Sequence, residues 1–142
     1  MFSKKNIPRL IIISPIIAIV LITFLTSYFF VSTQYDSFDI GSHESVVFQQ
    51  PNIHSVVINQ VLNSDPTNIA GQLSANGQLF VLAPGGLIIH DGASIEAASF
   101  FGSTLKADNI TDTSIEFSGS PSPHGIINNG RISIDGGGTL QL

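Results

Sequence analysis

The chain has no cysteine, so neither a disulfide framework nor a thiolate metal site can organise it. It is also poor in charge, with only 11% Asp, Glu, Lys and Arg, and positive charge is especially scarce. After Arg9 no lysine or arginine occurs until Lys106, and Arg131 is the last. Beyond Val31, ten acidic residues face those two, a net charge of −8. Nucleic acid is thereby excluded as a partner, because binding it requires basic groups to neutralise phosphates. No glycine precedes Val31, and all 13 lie after it. At 142 residues there is room for one domain at most.

One long apolar run is present. Leu10 to Val31 contains 22 residues without a charge, enough at about 1.5 Å per residue to cross a hydrocarbon layer of about 30 Å as a helix. Lys4, Lys5 and Arg9 precede it, so the positive-inside bias keeps the N-terminus cytoplasmic and exports the residues beyond Val31. A cleaved signal needs small residues where Tyr28-Phe29-Phe30-Val31 stand, and Ser32 and Thr33 make a poor site. The expected organisation is a basic n-region with a signal anchor or long signal peptide over 1–31, a spacer over 32–37 and a domain over 38–142. Membrane contact is expected through residues 10–31.

The exported part shows no sustained helical period. It consists of short alternating runs bounded by Gly, Asn, Asp, Ser or Pro: Ser45 to Phe48, Ser55 to Ile58, Gln78 to Leu82, Ser94 to Ala97, Thr104 to Ala107, Ser114 to Phe117, Arg131 to Ile134 and Thr139 to Leu142. One helical turn is expected, capped by Asp65, started by Pro66 and ended by Gly71. Ile95, Leu105, Ile115, Ile126 and Ile134 recur about every ten residues, which suits the coils of a β-solenoid but equally a sandwich or barrel. Asn76-Gly77 and Asn129-Gly130 are either solenoid corners or two-residue hairpin turns.

Side chains with catalytic potential are scattered. His43, His54, His90 and His124 have no metal-ligand spacing. His90-Asp91 lacks a nucleophile elbow to serve. Asp36 with Asp39, and Asp108 with Asp112, sit in turn-rich sequence where aspartate bonds its own backbone. Asn109-Ile110-Thr111 fits a glycosylation acceptor, a pattern too frequent to carry weight alone. No catalytic residue, metal, cofactor or small-molecule substrate is expected, and the chain reads as a non-enzyme.

The stretch from Ile69 to Leu87, IAGQLSANGQLFVLAPGGL, resembles the central motif of the two-partner secretion domain, the haemagglutination-type N-terminal module of filamentous-haemagglutinin-like adhesins and contact-dependent toxins. Phe38 to Leu62 is similar to that family's opening strands, and Asp91 to Ile110 and Gly125 to Leu142 to its following coils. The resemblance implies an all-β right-handed parallel β-helix, here partial, preceded by one N-terminal transmembrane or signal helix. It implies a secretion-recognition module captured by an outer-membrane transporter through POTRA domains. The domain would lie in the periplasm if anchored, or reach the cell surface or medium if the signal is cleaved. The implied partner-binding residues are Asn76, Gly77, Leu79, Phe80, Val81, Leu82, Ala83, Pro84, Gly85 and Gly86, with edge-strand addition along Leu79 to Leu82.

Against the family's Asn-Pro-Asn-Gly, this chain has Ala83-Pro84-Gly85-Gly86. Ala83 cannot lock the turn with its side chain, and Gly85 permits a type II geometry. The membrane block would abut Phe38 without the family's earlier strands, and the chain would stop part way through the module. Two other classes remain: a membrane-anchored structural or surface solenoid without a transporter, and a carbohydrate-active β-helix enzyme. Lyases of that shape need a basic catalytic residue, for which only Lys106 and Arg131 are available.

Overall fold

Short strands with one apolar face cannot bury that face alone, and stacking successive coils is one way to bury it. The computed structural model describes residues 18–23, 30–111 and 113–142 and shows such a stack. The first coil holds β1 (Ala18–Thr23), β2 (Phe30–Tyr35) and a bridge at Ile40. The second holds β3 (Glu44–Gln49), β4 (Val56–Val61) and β5 (Thr67–Ile69). The third holds β6 (Gln72–Ala75), β7 (Gln78–Leu82) and β8 (Leu87–Ile89). The fourth holds β9 (Ser94–Ala97) and β10 (Ser99–Ser103), departs into a hairpin of β11 (Lys106–Ile110) and β12 (Ile115–Ser118), and returns as β13 (Ile126–Asn128). A fifth begins with β14 (Arg131–Ile134) and β15 (Leu140–Gln141).

Each coil visits three parallel sheets in turn. Sheet I has the order β1-β3-β6-β9-β14, sheet II β15-β10-β7-β4-β2 and sheet III β13-β8-β5. The hairpin is the antiparallel exception. Register aligns inward side chains into ladders: Val46, Leu73, Ile95 and Ile132 on sheet I, and Val57, Leu79 and Phe100 on sheet II. Leu73, Leu79, Ile95 and Phe100 are fully buried, each contributing about 1.5–3 kcal/mol of apolar burial. Phe48 stands beside Ala75, so a large and a small side chain share one level of the core.

Several sequence expectations change here. Of the apolar block, Ala18–Thr23 pairs along β3 and Phe30–Val31 along β4, so these residues are strand and not helix. No helix among the described residues is long and apolar enough to cross a membrane. The rest of the block lies outside the described residues. The expected spacer, 32–37, is mostly β2, so strands do precede Phe38. The expected helical turn after Pro66 is β5: Thr67 and Ile69 are buried, and pairing with β8 outweighs the local capping signal. Both Asn-Gly pairs are corners between parallel sheets, not hairpin turns. The ten-residue spacing through Leu105 and Ile115 belongs to the excursion of the hairpin and not to successive sides of the solenoid.

Candidate recognition site

The central motif occupies the third coil, with a neighbour on each side. β7 is hydrogen-bonded to β4 on one side and β10 on the other, so the backbone of Leu79 to Leu82 is fully engaged. Edge-strand addition at β7 is therefore closed to the folded domain. Leu79, Val81, Leu82 and Ala83 are buried, as are Gly77, Gly85 and Gly86. Of the ten residues singled out, Asn76 is exposed, and Phe80 and Pro84 are half-buried.

The corner before β7 is held from the second coil. Asn76 Oδ1 accepts from the Gln50 backbone N–H at 2.6 Å, and Asn76 Nδ2 donates to the Gln50 carbonyl at 2.8 Å. Gln50, itself buried, accepts from Gly77 N–H through Oε1 at 3.1 Å and donates through Nε2 to the Ser55 carbonyl at 2.7 Å. An asparagine amide thus completes a ladder rung where the strands have ended. Gly77 is required by proximity: an added Cβ would lie 2.6 Å from Gln50 Nε2 and 2.7 Å from the Ser55 oxygen. Sequence reading missed Gln50, because a glutamine before Pro51-Asn52 looks like any loop residue.

The turn after β7 is closed by Gly86 N–H donating to the Ala83 carbonyl at 2.9 Å. Gly86 has φ +119°, whereas Gly85 is not among the positive-φ residues. The type II geometry expected from Gly85 is absent. Gly85 is instead pressed against the preceding coil, where an added Cβ would collide with the carbonyl oxygens of Ser64 and Asp65. Across the other face, a Cβ on Gly86 would come within 2.9 Å of His124 Cβ. The motif turn is a packed layer between coils.

Outside sheet II lies a second apolar cluster. Ile58 and Leu82 alternate out of phase with the inward ladder, yet are 0% and 1% exposed. Phe80 stacks on Phe101 with centroids 4.9 Å apart, and Phe101 on Phe117 of the hairpin at 5.3 Å. The hairpin therefore docks on the outer face of sheet II. Beside it opens a small cleft of about 140 Å³, lined by Gln34, Gln60, Val61, Leu62, Leu82, Pro84, Lys106, Ala107 and Asp108. Gln60 Nε2 donates to Ser32 Oγ at 3.0 Å, which fixes part of the polar wall. Pro84 is where the motif meets this cleft.

The scattered ionisable groups have structural roles or face solvent. His90 Nε2 lies 2.9 Å from Asn68 Oδ1; the Asn68 Nδ2 donates to Pro66 O, so the histidine is the donor. Asp39 accepts from Asn68 N–H at 2.7 Å. His43, His54 and His124 are exposed, and Asp112 lies outside the described residues. Among the described residues no three His, Cys, Asp or Glu side chains gather in a metal-binding group. Tyr35 packs edge-on against Phe38 with centroids 5.1 Å apart, and burial pushes its hydroxyl up to about 12, against a smaller pull from its hydrogen bond with Thr33.

The fold is a parallel solenoid with a hairpin docked on sheet II and a small cleft beside the central motif. A family model described as the TPS secretion domain matches residues 27–141, and the chain belongs to that family. A heme/hemopexin-binding protein of Haemophilus influenzae is 39% identical over 80 residues, covering 56% of this chain and 9% of that protein. Its counterpart in strain ATCC 51907 / DSM 11121 / KW20 / Rd is 40% identical over 83 residues, again 9% of its length. The HMW1 secretion domain of Haemophilus influenzae superposes with a TM-score of 0.64 at 30% identity, covering 77% of this chain and 31% of that one. The chain thus spans about a tenth of the length of the curated relatives it matches. It is a secretion-recognition module of a two-partner exoprotein.

Proposed function

We propose that this domain is captured in the periplasm by the POTRA domains of an outer-membrane transporter, which then passes its exoprotein to the cell surface. The observation that carries this reading is the position of the central motif, at the junction of coil stack, docked hairpin and cleft. The folded surface offered to the transporter comprises Asn76, Phe80 and Pro84 with the cleft walls Gln34, Gln60 and Lys106. Leu79, Val81, Leu82, Ala83 and the three motif glycines build that surface from beneath. Being buried, they can touch a partner only before the coils close.

The solenoid is read as right-handed, the hand that nearly all parallel crossovers adopt. The apolar block 10–31 serves as export signal or anchor before folding, because a segment paired with β3 is not at the same time in a bilayer. The whole protein is read as a filamentous-haemagglutinin-like adhesin or contact-dependent toxin whose secretion module is not catalytic.

The test is capture of the purified chain by the transporter's periplasmic domains, alongside surface exposure in cells carrying the pore. Phe80→Ala and Pro84→Ala should weaken capture, while Ser133→Ala on the outer face of sheet I should not. Equal capture of all four proteins would remove the motif face from recognition. No capture of any would remove the transporter.

A further inference from the structure

The sequence contains two Asn-Gly pairs, Asn76-Gly77 and Asn129-Gly130, which are chemically alike in an unfolded chain. Such a pair can lose ammonia. The glycine backbone nitrogen attacks the asparagine Cγ, a C–N bond forms as the bond to the amide nitrogen breaks, and a succinimide results. Water then opens the ring to aspartate or isoaspartate. Glycine favours the reaction because no side chain obstructs the approach and the backbone bends freely.

The fold separates the two. At Asn76 the amide oxygen and nitrogen are both held by the Gln50 backbone, at 2.6 and 2.8 Å. The N–H that must be lost, on Gly77, donates to Gln50 Oε1 at 3.1 Å in a buried position. Forming the ring would break all three bonds at once. Asn129 is exposed, its backbone N–H bonded to the Ile89 carbonyl, and its side chain has no partner among the described residues. Gly130 N–H donates to Asn128 Oδ1 at 3.0 Å on the surface, although Gly130 itself is packed against the carbonyl oxygens of His90 and Ala93.

We infer that Asn76 is a deamidation site gated by folding: open in the unfolded chain, closed once coils two and three stack. Asn129, whose side chain is unclamped, stays the more reactive of the two in the folded domain. Modification at Asn76 also weakens the corner it leaves behind. An aspartate there has no N–H for the Gln50 carbonyl and sets a carboxylate against it. Isoaspartate adds a backbone atom beside Gly77, which has no room even for a Cβ. Time spent unfolded is thereby recorded irreversibly as molecules whose third coil closes less stably.

The experiment incubates the full chain, folded and in urea, in mildly alkaline buffer, and follows both sites by peptide mapping with mass spectrometry. Because opening must break the three-bond clamp, Asn76 should react roughly tenfold or more slowly in the folded protein than in urea. Asn129 should be slowed less than Asn76, because the fold holds its backbone but not its side chain. Gln50→Ala, checked for its β-sheet circular dichroism, should release Asn76 towards the urea rate. If that variant does not fold, hydrogen exchange of Gly77 N–H in the unaltered chain decides: slow exchange supports the gate, and exchange as fast as that of Gly130 overturns it. Equal Asn76 rates with and without urea would also overturn it, as would equal protection of both sites.

Discussion

Restoring the family's asparagine at Gly85 should damage the domain, although the sequence suggests that it would tighten the turn. A Cβ at Gly85 lies 2.5 Å from the Asp65 carbonyl carbon and closer still to the carbonyl oxygens of Ser64 and Asp65. Real Cβ atoms essentially never come within 3.0 Å of another group, so the backbone of 64–65 must retreat. That segment runs directly into Thr67, whose N–H is bonded to the Gly86 carbonyl, so retreat pulls on β5. Overpacking of this kind costs about 2–3 kcal/mol. For a domain of this size that lowers the melting temperature by roughly 3–5 °C per kcal/mol. Urea unfolding of Gly85→Ala and Gly85→Asn, followed by circular dichroism, measures the loss.

Gly92 supplies the control. It has φ +83° and nothing within 4 Å of an added Cβ. Its constraint is dihedral and not steric, and asparagine tolerates that region well. Gly92→Asn should therefore cost far less than Gly85→Asn. A Gly85→Asn domain as stable as the original would refute the steric account and return the turn to the family's geometry.

Asn76→Asp should destabilise by about 1–3 kcal/mol in urea melts, because it removes the donor to Gln50 O and leaves a buried carbonyl unpaired. Phe117→Ala should cost about 2 kcal/mol and release the hairpin, read as faster hydrogen exchange over β11 and β12 while β7 stays protected. Tyr35 should make stability fall at high pH. Its hydroxyl titrates at about 12 in the folded domain against 10.0 for an unhindered tyrosine, so its contribution is complete below 10 and lost as pH rises through 12. At about 1.4 kcal/mol per unit, up to about 3 kcal/mol disappears, and Tyr35→Phe should flatten that part of the pH profile of the melting midpoint.

Two strands could be read from sequence because they have one wet face: Ser94–Ala97 and Arg131–Ile134 alternate cleanly, and their bounds are those of β9 and β14. Gln78–Leu82 has the bounds of β7 because turns flank it, not because it alternates, since Phe80 and Leu82 make its outer face apolar too. β8 gives no alternation, because Leu-Ile-Ile is apolar at every position. β2 was hidden by the apolar block that runs into it, and β5 by the helix-start signal of Asp65-Pro66. Glycine was legible as a corner marker but not for its reason. Gly77, Gly85 and Gly130 are small because another coil's backbone or side chain lies against them, a contact between residues distant in sequence. The family resemblance identified the motif, yet burial of most of its residues depends on neighbouring coils that no local pattern encodes. Gln50 and Asn59, polar and buried, were invisible for the same cause; the Asn59 amide nitrogen is tied to the Phe80 carbonyl at 3.1 Å, while its oxygen has no partner among the described residues.

The hairpin leaves the solenoid after Ser103 and rejoins it near Gly125, whose carbonyl accepts from Leu87 N–H at 3.1 Å. Gln72 and Ser94 are stacked partners 22 residues apart, while Ser94 and Arg131 are stacked partners 37 apart. The ladder does not register the difference. At this corner the architecture uncouples chain length from coil geometry, so a guest sequence can be spliced between Thr111 and Ser114 without shifting any rung. Relatives with the same coils are therefore free to differ here in size and chemistry, and a grafted epitope would travel on the outside of the domain as passive cargo.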